Sequence, residues 1–336
     1  MNVGVIGLGY WGPNLVRNFF ATPGVDKVYG VDVDKSRLEL MKNKFPMIEV
    51  RKDYKELLED DSVDAIAIAT PVSYHYQIAR EALQKGKHVL IEKPMTSNIK
   101  EAEELVNLAE KNGLVLMVDH TFLYTGAVRK IKELIEAGEI GDLYYFDSVR
   151  VNLGLFQHDI NVIWDLAPHD LSIMTYIVKE KPVSVAAFGS AHYNGIEDIA
   201  YIVVNFDNSL IAHFHVNWLA PVKVRQILIS GTKKMIVYDD TEPSEKVKVY
   251  DKGIIVTTRD GIYQTLIQYR TGDMYAPKID STEALSLVCK EFVESIKDKR
   301  KPLTDGMSGL EVVRMLELAE KSLKSGGKCM EINREH

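Results

Sequence analysis

Short apolar runs in the first third of the chain constrain its fold more than any other feature. Their hydrophobic residues follow one another without polar alternation, so each run predicts a β-strand that is buried on both faces. Amphipathic segments separate the runs, which is the pattern of a parallel sheet with helices on both sides. The predicted strands are Val3–Ile6, Lys27–Val31, Ala65–Ala69, His88–Ile91 and Val115–Val118, with a short strand near Ile48. Ser73 is a predicted N-cap for the helix after the third of these strands, and Asn98 with Glu101 resembles a capping box.

The pattern changes after Asp119. A helix is predicted over 127–137, where Gly138 and Gly141 follow as stop signals. Further predicted elements are strands at 143–152, 183–188, 200–206, 210–218, 224–230 and 235–238, a helix over 163–178, and closing helices over 282–297 and 309–324. The chain is therefore expected to combine an α/β domain with a doubly wound parallel sheet, residues 1–122, and an α+β domain with a large open, mostly antiparallel sheet, residues 123–336. The closing helices can return to the interface between these domains.

Composition excludes several classes of protein. The chain has 41 Lys and Arg against 48 Asp and Glu, a formal net charge of −7, which argues against a nucleic-acid partner. Cys289 and Cys329 lie far apart in the sequence and favour neither a disulfide framework nor a metal site. No apolar run approaches the roughly 20 residues of a membrane helix. The first residues predict a strand rather than a leader peptide, so we expect a cytoplasmic protein.

The first predicted strand leads into Gly7-Leu8-Gly9-Tyr10-Trp11-Gly12, which opens a helix. A G-x-G-x-x-G pattern alone is common, but here a strand precedes it, a helix follows it and an acid ends the second strand about 20 residues on. The glycines let the backbone approach a pyrophosphate, which unpaired N–H groups at the helix start can bind. Pro13 suits an early helical position. The motif predicts a dinucleotide site; a purely structural glycine turn is the alternative.

The acid that ends the second strand is Asp32. It is expected to accept hydrogen bonds from the adenosine ribose, and its charge would repel a 2′-phosphate, which favours NAD over NADP. Arg37 weakens this preference because its guanidinium can reach a 2′-phosphate.

Ligands of a doubly wound sheet bind outside the carboxyl ends of its strands. Lys93 lies at such an end, and Pro94 after it fixes the chain direction. A lysine ammonium there can reach a substrate beside the nicotinamide; the alternative is a surface lysine at a strand–loop junction. The expected contacts in this region are Thr70, Pro71, His75, Glu92 and Lys93 to the cofactor, and Lys93 and His120 to the substrate.

A second cluster of polar residues lies in the stretch WDLAPHD, residues 164–170. On a helix, Asp165 and His169 are four residues apart and share one face. A carboxylate, an imidazole and a lysine make a proton-transfer set for interconverting an alcohol and a carbonyl. The alternative is a structural hydrogen bond between the aspartate and the histidine.

These motifs resemble the Gfo/Idh/MocA family of NAD(P)-dependent sugar oxidoreductases. The likeness covers essentially the whole chain and rests on GLGYWG, ATPVSYH, ALQKGKHVLIEKP, WDLAPHD and KPLTDGMSGLE. The resemblance implies that Lys93 hydrogen-bonds the reacting hydroxyl, that His169 acts as acid or base, and that Asp165 supports the substrate. It also implies a cis bond before Pro94 and a homodimer or homotetramer formed through the open sheet. The family's aromatic-Arg stretch after the last strand of the first domain is replaced here by HTFLY, residues 120–124.

The substrate expectation rests on the same resemblance. Trp218 and the following PVKVR, with WDLAPHD and GYWGPN, look most like the branch that acts on carbon 3 of UDP-linked N-acetylated sugars. Lys223 or Arg225 would then bind the diphosphate, which requires fixed cations; each is otherwise an exposed charge on a strand. Arg150, Asn152, Gln157 and His158 come from a segment expected near the pocket, with Asn152 as a substrate contact.

Three residues alternate along one predicted strand and share a face: His213, His215 and Asn217. Two histidines at this spacing can ligate zinc, but no third ligand is evident, so no metal is expected. The face is instead expected to be solvated or covered by a partner subunit.

Other functions stay open. A dehydrogenase of free sugars or polyols such as inositol uses the same chemistry without a diphosphate contact. Some members of the family use bound NAD transiently to hydrolyse glycosides, and others are silent sugar-sensing regulators, which have little reason to carry Lys93, Asp165 and His169 together. The direction of the reaction stays open, as does which of Lys93 and His169 is the base.

Overall fold

Six parallel strands build the first of two units in the computed structural model, which describes residues 1–154, 160–258 and 265–332. The strands are β1 (Asn2–Ile6), β2 (Lys27–Val31), β3 (Glu49–Arg51), β4 (Ala65–Ile68), β5 (His88–Glu92) and β6 (Leu116–Asp119). Their order in the sheet is β3-β2-β1-β4-β5-β6. The strand order reverses between β1 and β4, as at the switch point of a doubly wound sheet. The predicted α/β fold of this region is confirmed.

Helices connect these strands, and their starts only partly follow the prediction. They are α1 (Gly12–Ala21), α2 (Lys35–Lys44), α3 (Lys55–Leu58), α4 (Val72–Gln84) and α5 (Ile99–Asn112), with a 3₁₀ turn at Thr121–Tyr124. Asn98 caps α5 as predicted, accepting the N–H of Glu101 at 3.0 Å. The carboxylate of Glu101 accepts the Ser97 hydroxyl at 3.1 Å, so only half of a capping box forms. The prediction for Ser73 is wrong: α4 begins at Val72, after Pro71, without a side-chain cap.

The second unit is organised around a nine-stranded sheet. Its elements are α6 (Gly126–Glu136), β7 (Leu143–Leu153), α7 (Val162–Ile177), β8 (Pro182–Ser190), β9 (Ile199–Phe206), β10 (Ile211–Asn217), β11 (Leu219–Gly231), β12 (Met235–Asp239), β13 (Val247–Tyr250), β14 (Gly253–Thr258), β15 (Thr265–Arg270), β16 (Met274–Tyr275) and β17 (Met330–Glu331). The sheet order is β16-β13-β12-β11-β7-β10-β9-β8-β17, while β14 and β15 form a separate hairpin. Only β7 and β10 pair in parallel among the described strands of the large sheet. The predicted mostly antiparallel sheet is confirmed.

The last two helices divide between the units. They are α8 (Ala284–Asp298) and α9 (Gly306–Lys324). The first unit contains Met1–Tyr124 and Thr282–Glu317, and the second contains Thr125–Ser281 and the segment from Leu318. Residues 282–317 thus belong to the first unit, although the predicted division places them in the second domain.

Contacts distant in sequence explain why residues 282–317 join the first unit. The Thr304 hydroxyl donates to the Val118 carbonyl at 2.7 Å, and Phe19 packs edge-on against Phe292 with ring centroids 6.3 Å apart.

No described helix is long and apolar enough to cross a membrane.

Candidate active site

The loop between β1 and α1 requires its glycines for different reasons. Gly7 has φ +92°, and a Cβ there would lie 2.6 Å from the Ala69 carbonyl oxygen. A Cβ on Gly12 would lie 1.9 Å from the Gly7 oxygen. At Gly9 the nearest atom to such a Cβ is 3.6 Å away, on Arg37, so the loop surface is open there. A close-packed loop with an open centre at a helix start fits a pyrophosphate.

Two aromatic residues of the predicted cofactor loop lie beside this opening in the sequence. Tyr10 is 92% exposed and stacks on Trp11 with ring centroids 6.0 Å apart. Their contact with the cofactor stays a prediction.

Asp32 is buried at the end of β2 and already has protein partners. Its Oδ2 accepts the Leu8 N–H at 2.8 Å and an Arg37 N–H at 3.3 Å, and its Oδ1 accepts the Asp34 N–H at 2.9 Å. A carboxylate offers about four lone-pair sites. Asp32 therefore braces the glycine loop and keeps acceptor capacity for a ribose hydroxyl. Contact between Arg37 and a 2′-phosphate stays a prediction.

Asp32→Ala is expected to weaken NAD binding about 10- to 100-fold, because it removes a charged acceptor and loosens the loop at Leu8. Arg37→Ala should leave NAD affinity nearly unchanged and weaken NADP. Calorimetric titration of both variants with both cofactors measures this. Asp34→Ala, which removes the neighbouring α2 cap, is the control. Unaltered NAD affinity in Asp32→Ala would remove the residue from the cofactor site.

Buried polar atoms collect at the carboxyl ends of β4, β5 and β6. In the described part of the chain, no hydrogen-bond partner reaches Thr70 Oγ1, Glu92 Oε1, Asp119 Oδ2 or either ring nitrogen of His120. Buried polar groups in proteins are nearly always hydrogen-bonded. So many unsatisfied atoms at one sheet edge indicate a ligand, a proton or both.

Lys93 directly follows β5, and its bond to Pro94 is cis, as the resemblance implied. Burial, together with the Lys93 charge, lowers the pKa of His120 to about 3, so this imidazole is neutral near pH 7. Burial raises the pKa of Asp119 and of Glu92, an effect that the Lys93 charge partly opposes. The ammonium of Lys93 therefore shifts the pKa of three titratable side chains at this edge, those of Glu92, Asp119 and His120.

His75 links two loops, and its contact with the cofactor stays a prediction. Its Nδ1 lies 2.9 Å from the Pro94 carbonyl oxygen and its Nε2 lies 2.8 Å from that of Thr70. Burial lowers the pKa of His75, and a neutral ring carries only one N–H, so it donates to one carbonyl at a time. The ring links the loop after β4, with Thr70 and Pro71, to the loop that carries Lys93.

In the second unit, α7 carries both predicted acid–base residues. Asn161 caps this helix by accepting the N–H of Ile163 at 3.1 Å. Asp165 lies in the first turn, and its Oδ2 accepts the indole N–H of Trp218 at 3.0 Å. His169 follows one turn later. The indole contact, which sequence analysis missed, fixes the Asp165 carboxylate.

A buried ion pair anchors the same helix to the sheet. Arg150 on β7 donates from Nε and Nη2 to the two carboxylate oxygens of Asp170, at 2.9 and 2.7 Å. Both side chains are almost fully buried. Arg150 comes from a segment that was expected near the pocket. It binds α7 at Asp170, the residue that directly follows His169.

The other predicted substrate contacts differ in their hydrogen bonds to the protein and in their exposure. Asn152 donates to the Leu153 carbonyl at 3.3 Å, and Arg225 donates to Asp240 at 3.3 Å. Lys223 is exposed. Gln157 and His158 lie outside the described residues.

Along β10, His213, His215 and Asn217 are partly exposed and alternate with buried residues, so they share one face of the large sheet, called here the open face. His213 Nδ1 is 2.7 Å from Asp147 Oδ1, and the Tyr201 ring stacks on His215 with centroids 4.5 Å apart. Within the described residues, no group of three or more His, Cys, Asp or Glu side chains is arranged to hold a metal ion.

Two family models match this chain, one in each of its two units. Residues 1–120 match the family described as an oxidoreductase family with an NAD-binding Rossmann fold, and residues 128–237 match the GFO/IDH/MocA C-terminal domain. The chain belongs to the Gfo/Idh/MocA family. As a member, it is an oxidoreductase whose cofactor is NAD, which confirms the predicted enzyme class.

Relatives within the Gfo/Idh/MocA family have different substrates. The UDP-N-acetylglucosamine 3-dehydrogenase of Acidithiobacillus ferrooxidans is 27% identical, with 93% of this chain and 94% of that protein covered. The myo-inositol 2-dehydrogenase of Thermotoga maritima is 25% identical, with 96% of each covered. The solved structure of the Acidithiobacillus enzyme has a TM-score of 0.80 at 25% identity and covers 97% of this chain and 98% of that one. These similarities give the reaction class without distinguishing the sugar.

Proposed function

We propose that this protein moves a hydride between NAD and carbon 3 of a UDP-linked N-acetylated sugar. The observation that carries the proposed reaction is the cluster of unsatisfied buried polar atoms beside Lys93, at the sheet edge where a dinucleotide's substrate is expected. The similarity to a UDP-N-acetylglucosamine 3-dehydrogenase supports the sugar.

Three residues of the chain have separate roles in the proposed reaction: one binds the reacting hydroxyl, one accepts its proton and one holds the substrate. NAD, when bound, accepts the hydride from the carbon. Lys93 donates a hydrogen bond to the reacting hydroxyl, and the imidazole of His169 takes the hydroxyl proton as the carbonyl forms. Asp165, whose second oxygen is held by Trp218, accepts a hydrogen bond from a substrate hydroxyl. Positioned acid–base groups of this kind contribute about 10²–10⁴-fold to rate.

Lys223 is the better of the two proposed diphosphate ligands. It is exposed, whereas the guanidinium of Arg225 is engaged with Asp240, which also accepts a bond from Lys246 at 3.1 Å. A cation that must leave an existing ion pair gains less from a new anion.

The test is NADH absorbance with NAD and a panel of sugars: UDP-N-acetylglucosamine, its uronic acid, free glucose and inositol, each with and without 2-oxoglutarate. A signal confined to the UDP sugars, and lowered in Lys223→Met, supports the proposal. A signal only with inositol or glucose would replace the nucleotide sugar by a free polyol, as the inositol dehydrogenase relative suggests. Sugar release from a glycoside without lasting NADH would indicate a hydrolase.

We also propose that the open face of the large sheet forms a homodimer or homotetramer interface. Ladder pairing places Phe188 opposite Tyr201 on this face, and Ile211 shares it; they are 60%, 41% and 45% exposed. Clustered exposed apolar residues mark protein interfaces. Light scattering should show an oligomer for the wild type and a smaller species for Tyr201→Glu, with Tyr74→Glu on α4 as control. A monomeric wild type would contradict this proposal.

A further inference from the structure

Two carboxyl groups end adjacent strands of the first unit. Glu92 closes β5, Asp119 closes β6, and the two are direct partners in the parallel ladder. Their exposed fractions are 8% and 1%. The Thr121 hydroxyl donates to Asp119 Oδ1 at 2.7 Å, which leaves Oδ2 of that carboxylate and Oε1 of Glu92 without a donor.

A single proton resolves both unsatisfied oxygens. Two ionised carboxylates are acceptors only, so neither can satisfy the other. The two side chains lie within hydrogen-bonding reach. If Glu92 carries the proton, it donates to Asp119 and both oxygens gain a partner. Close carboxyl pairs in buried sites share a proton for this reason.

The surrounding charges also favour one proton on the pair. The titratable groups that interact electrostatically with these carboxyls or with Lys93 are Lys93 itself, His75 on α4, His120 after β6, Tyr124 in the 3₁₀ turn and Cys289 on α8. Burial lowers the pKa of both histidines and raises the pKa of Tyr124 and of the Cys289 thiol, so these four are neutral near pH 7. Lys93 then supplies one positive charge. One ionised carboxylate balances that charge, whereas two ionised carboxylates would leave a net negative charge in a buried site.

We propose that Glu92 and Asp119 hold one proton between them and position Lys93 by presenting a single negative charge to its ammonium. They are positioning residues: Lys93 contacts the substrate, and the pair acts through it. The kinetic part of this inference rests on the proposed function, whereas the shared proton does not.

The pH dependence of stability tests the shared proton without any substrate. Burial and the neighbouring Asp119 raise the pKa of Glu92 above its ordinary value of 4.5. Between that value and the raised one, the unfolded chain has lost a proton that the folded chain keeps. The free energy of unfolding therefore falls as pH rises through this window.

Thermal unfolding midpoints between pH 5 and pH 9.5 should show this slope in the wild type. Glu92→Gln keeps a hydrogen-bond donor at this position but cannot ionise. The unfolding midpoint of Glu92→Gln minus that of the wild type should therefore increase by about 3 °C or more between pH 5 and pH 9.5. Glu39→Gln, on the exposed side of α2, is the control and should follow the wild type. If Glu92→Gln and the wild type have parallel profiles, the carboxyls share no proton and the inference is overturned.

The positioning role needs a kinetic comparison between variants of different charge. Glu92→Gln and Asp119→Asn each leave one carboxylate for Lys93, whereas the double variant leaves none. With the sugar that reduces NAD best, kcat of the double variant should be about tenfold or more below either single variant, while KM for the sugar changes less. Equal kcat in all three variants would overturn the positioning role. If no sugar in the panel reacts, the proposed function fails while the stability profiles still decide the shared proton.

Discussion

Lys93→Met is expected to lower turnover by about 10²–10⁴-fold, with a much smaller change in NAD affinity. The substitution keeps most of the side-chain volume but removes the ammonium that is proposed to hydrogen-bond the reacting hydroxyl. Single-turnover NADH formation with saturating sugar measures the loss, and NAD titration by calorimetry measures the affinity separately.

Two further variants decide how this result is interpreted. His169→Gln should lose turnover to a similar extent, because it removes the proposed proton acceptor from α7. Lys85→Met removes an exposed lysine that pairs with Glu59 at 2.7 Å, and it should retain wild-type turnover. Near-wild-type rates in Lys93→Met would exclude Lys93 from the reaction. In the direction of sugar oxidation, the variant that loses the acid limb of the pH–rate profile identifies the base, because a base must be deprotonated before it can accept the hydroxyl proton.

The location of Lys93 could be predicted because it depends on a rule about strand ends. The apolar run before it identifies β5, and parallel strands deliver their carboxyl ends to the ligand edge of the sheet. The partnership of Glu92 with Asp119 was missed, although each residue directly follows a predicted strand. It follows from the pairing of β5 with β6, which places the two terminal residues side by side. Reading the last residues of neighbouring strands as a pair would have found it.

Other parts of the fold had no local signal. The strand β13 contains only four residues, with Lys248 between two valines, and β17 contains two, so their pairing partners define them more than their composition does. The transfer of residues 282–317 to the first unit depends on contacts such as that of Thr304 with Val118, which are 186 positions apart. The hydrogen bond from Trp218 to Asp165 spans 53 positions. Apolar patterning predicts elements, whereas these contacts depend on how the elements pack.

The ion pair of Arg150 with Asp170 should be the most costly single interaction to break in the second unit. Burial alone would lower the pKa of Arg150, but the attraction and hydrogen bonds of Asp170 outweigh it and raise that pKa. Arg150→Met leaves the Asp170 carboxylate buried without its cation, and removing one partner of such a pair costs about 3–5 kcal/mol. Urea unfolding followed by circular dichroism measures the free energy of unfolding.

The double variant Arg150→Met with Asp170→Leu separates the pair's net contribution from the penalty of an unpaired charge. Replacing both partners by apolar side chains is often neutral, so the double variant should recover most of the stability that Arg150→Met loses. Turnover should recover less, because the bidentate contact fixes the helix that carries His169, whereas apolar packing restores the stability without the same orientation. If the double variant is as unstable as Arg150→Met, the loss in free energy of unfolding comes from lost packing volume and not from an unpaired charge. If its turnover recovers fully, the ion pair does not orient the helix.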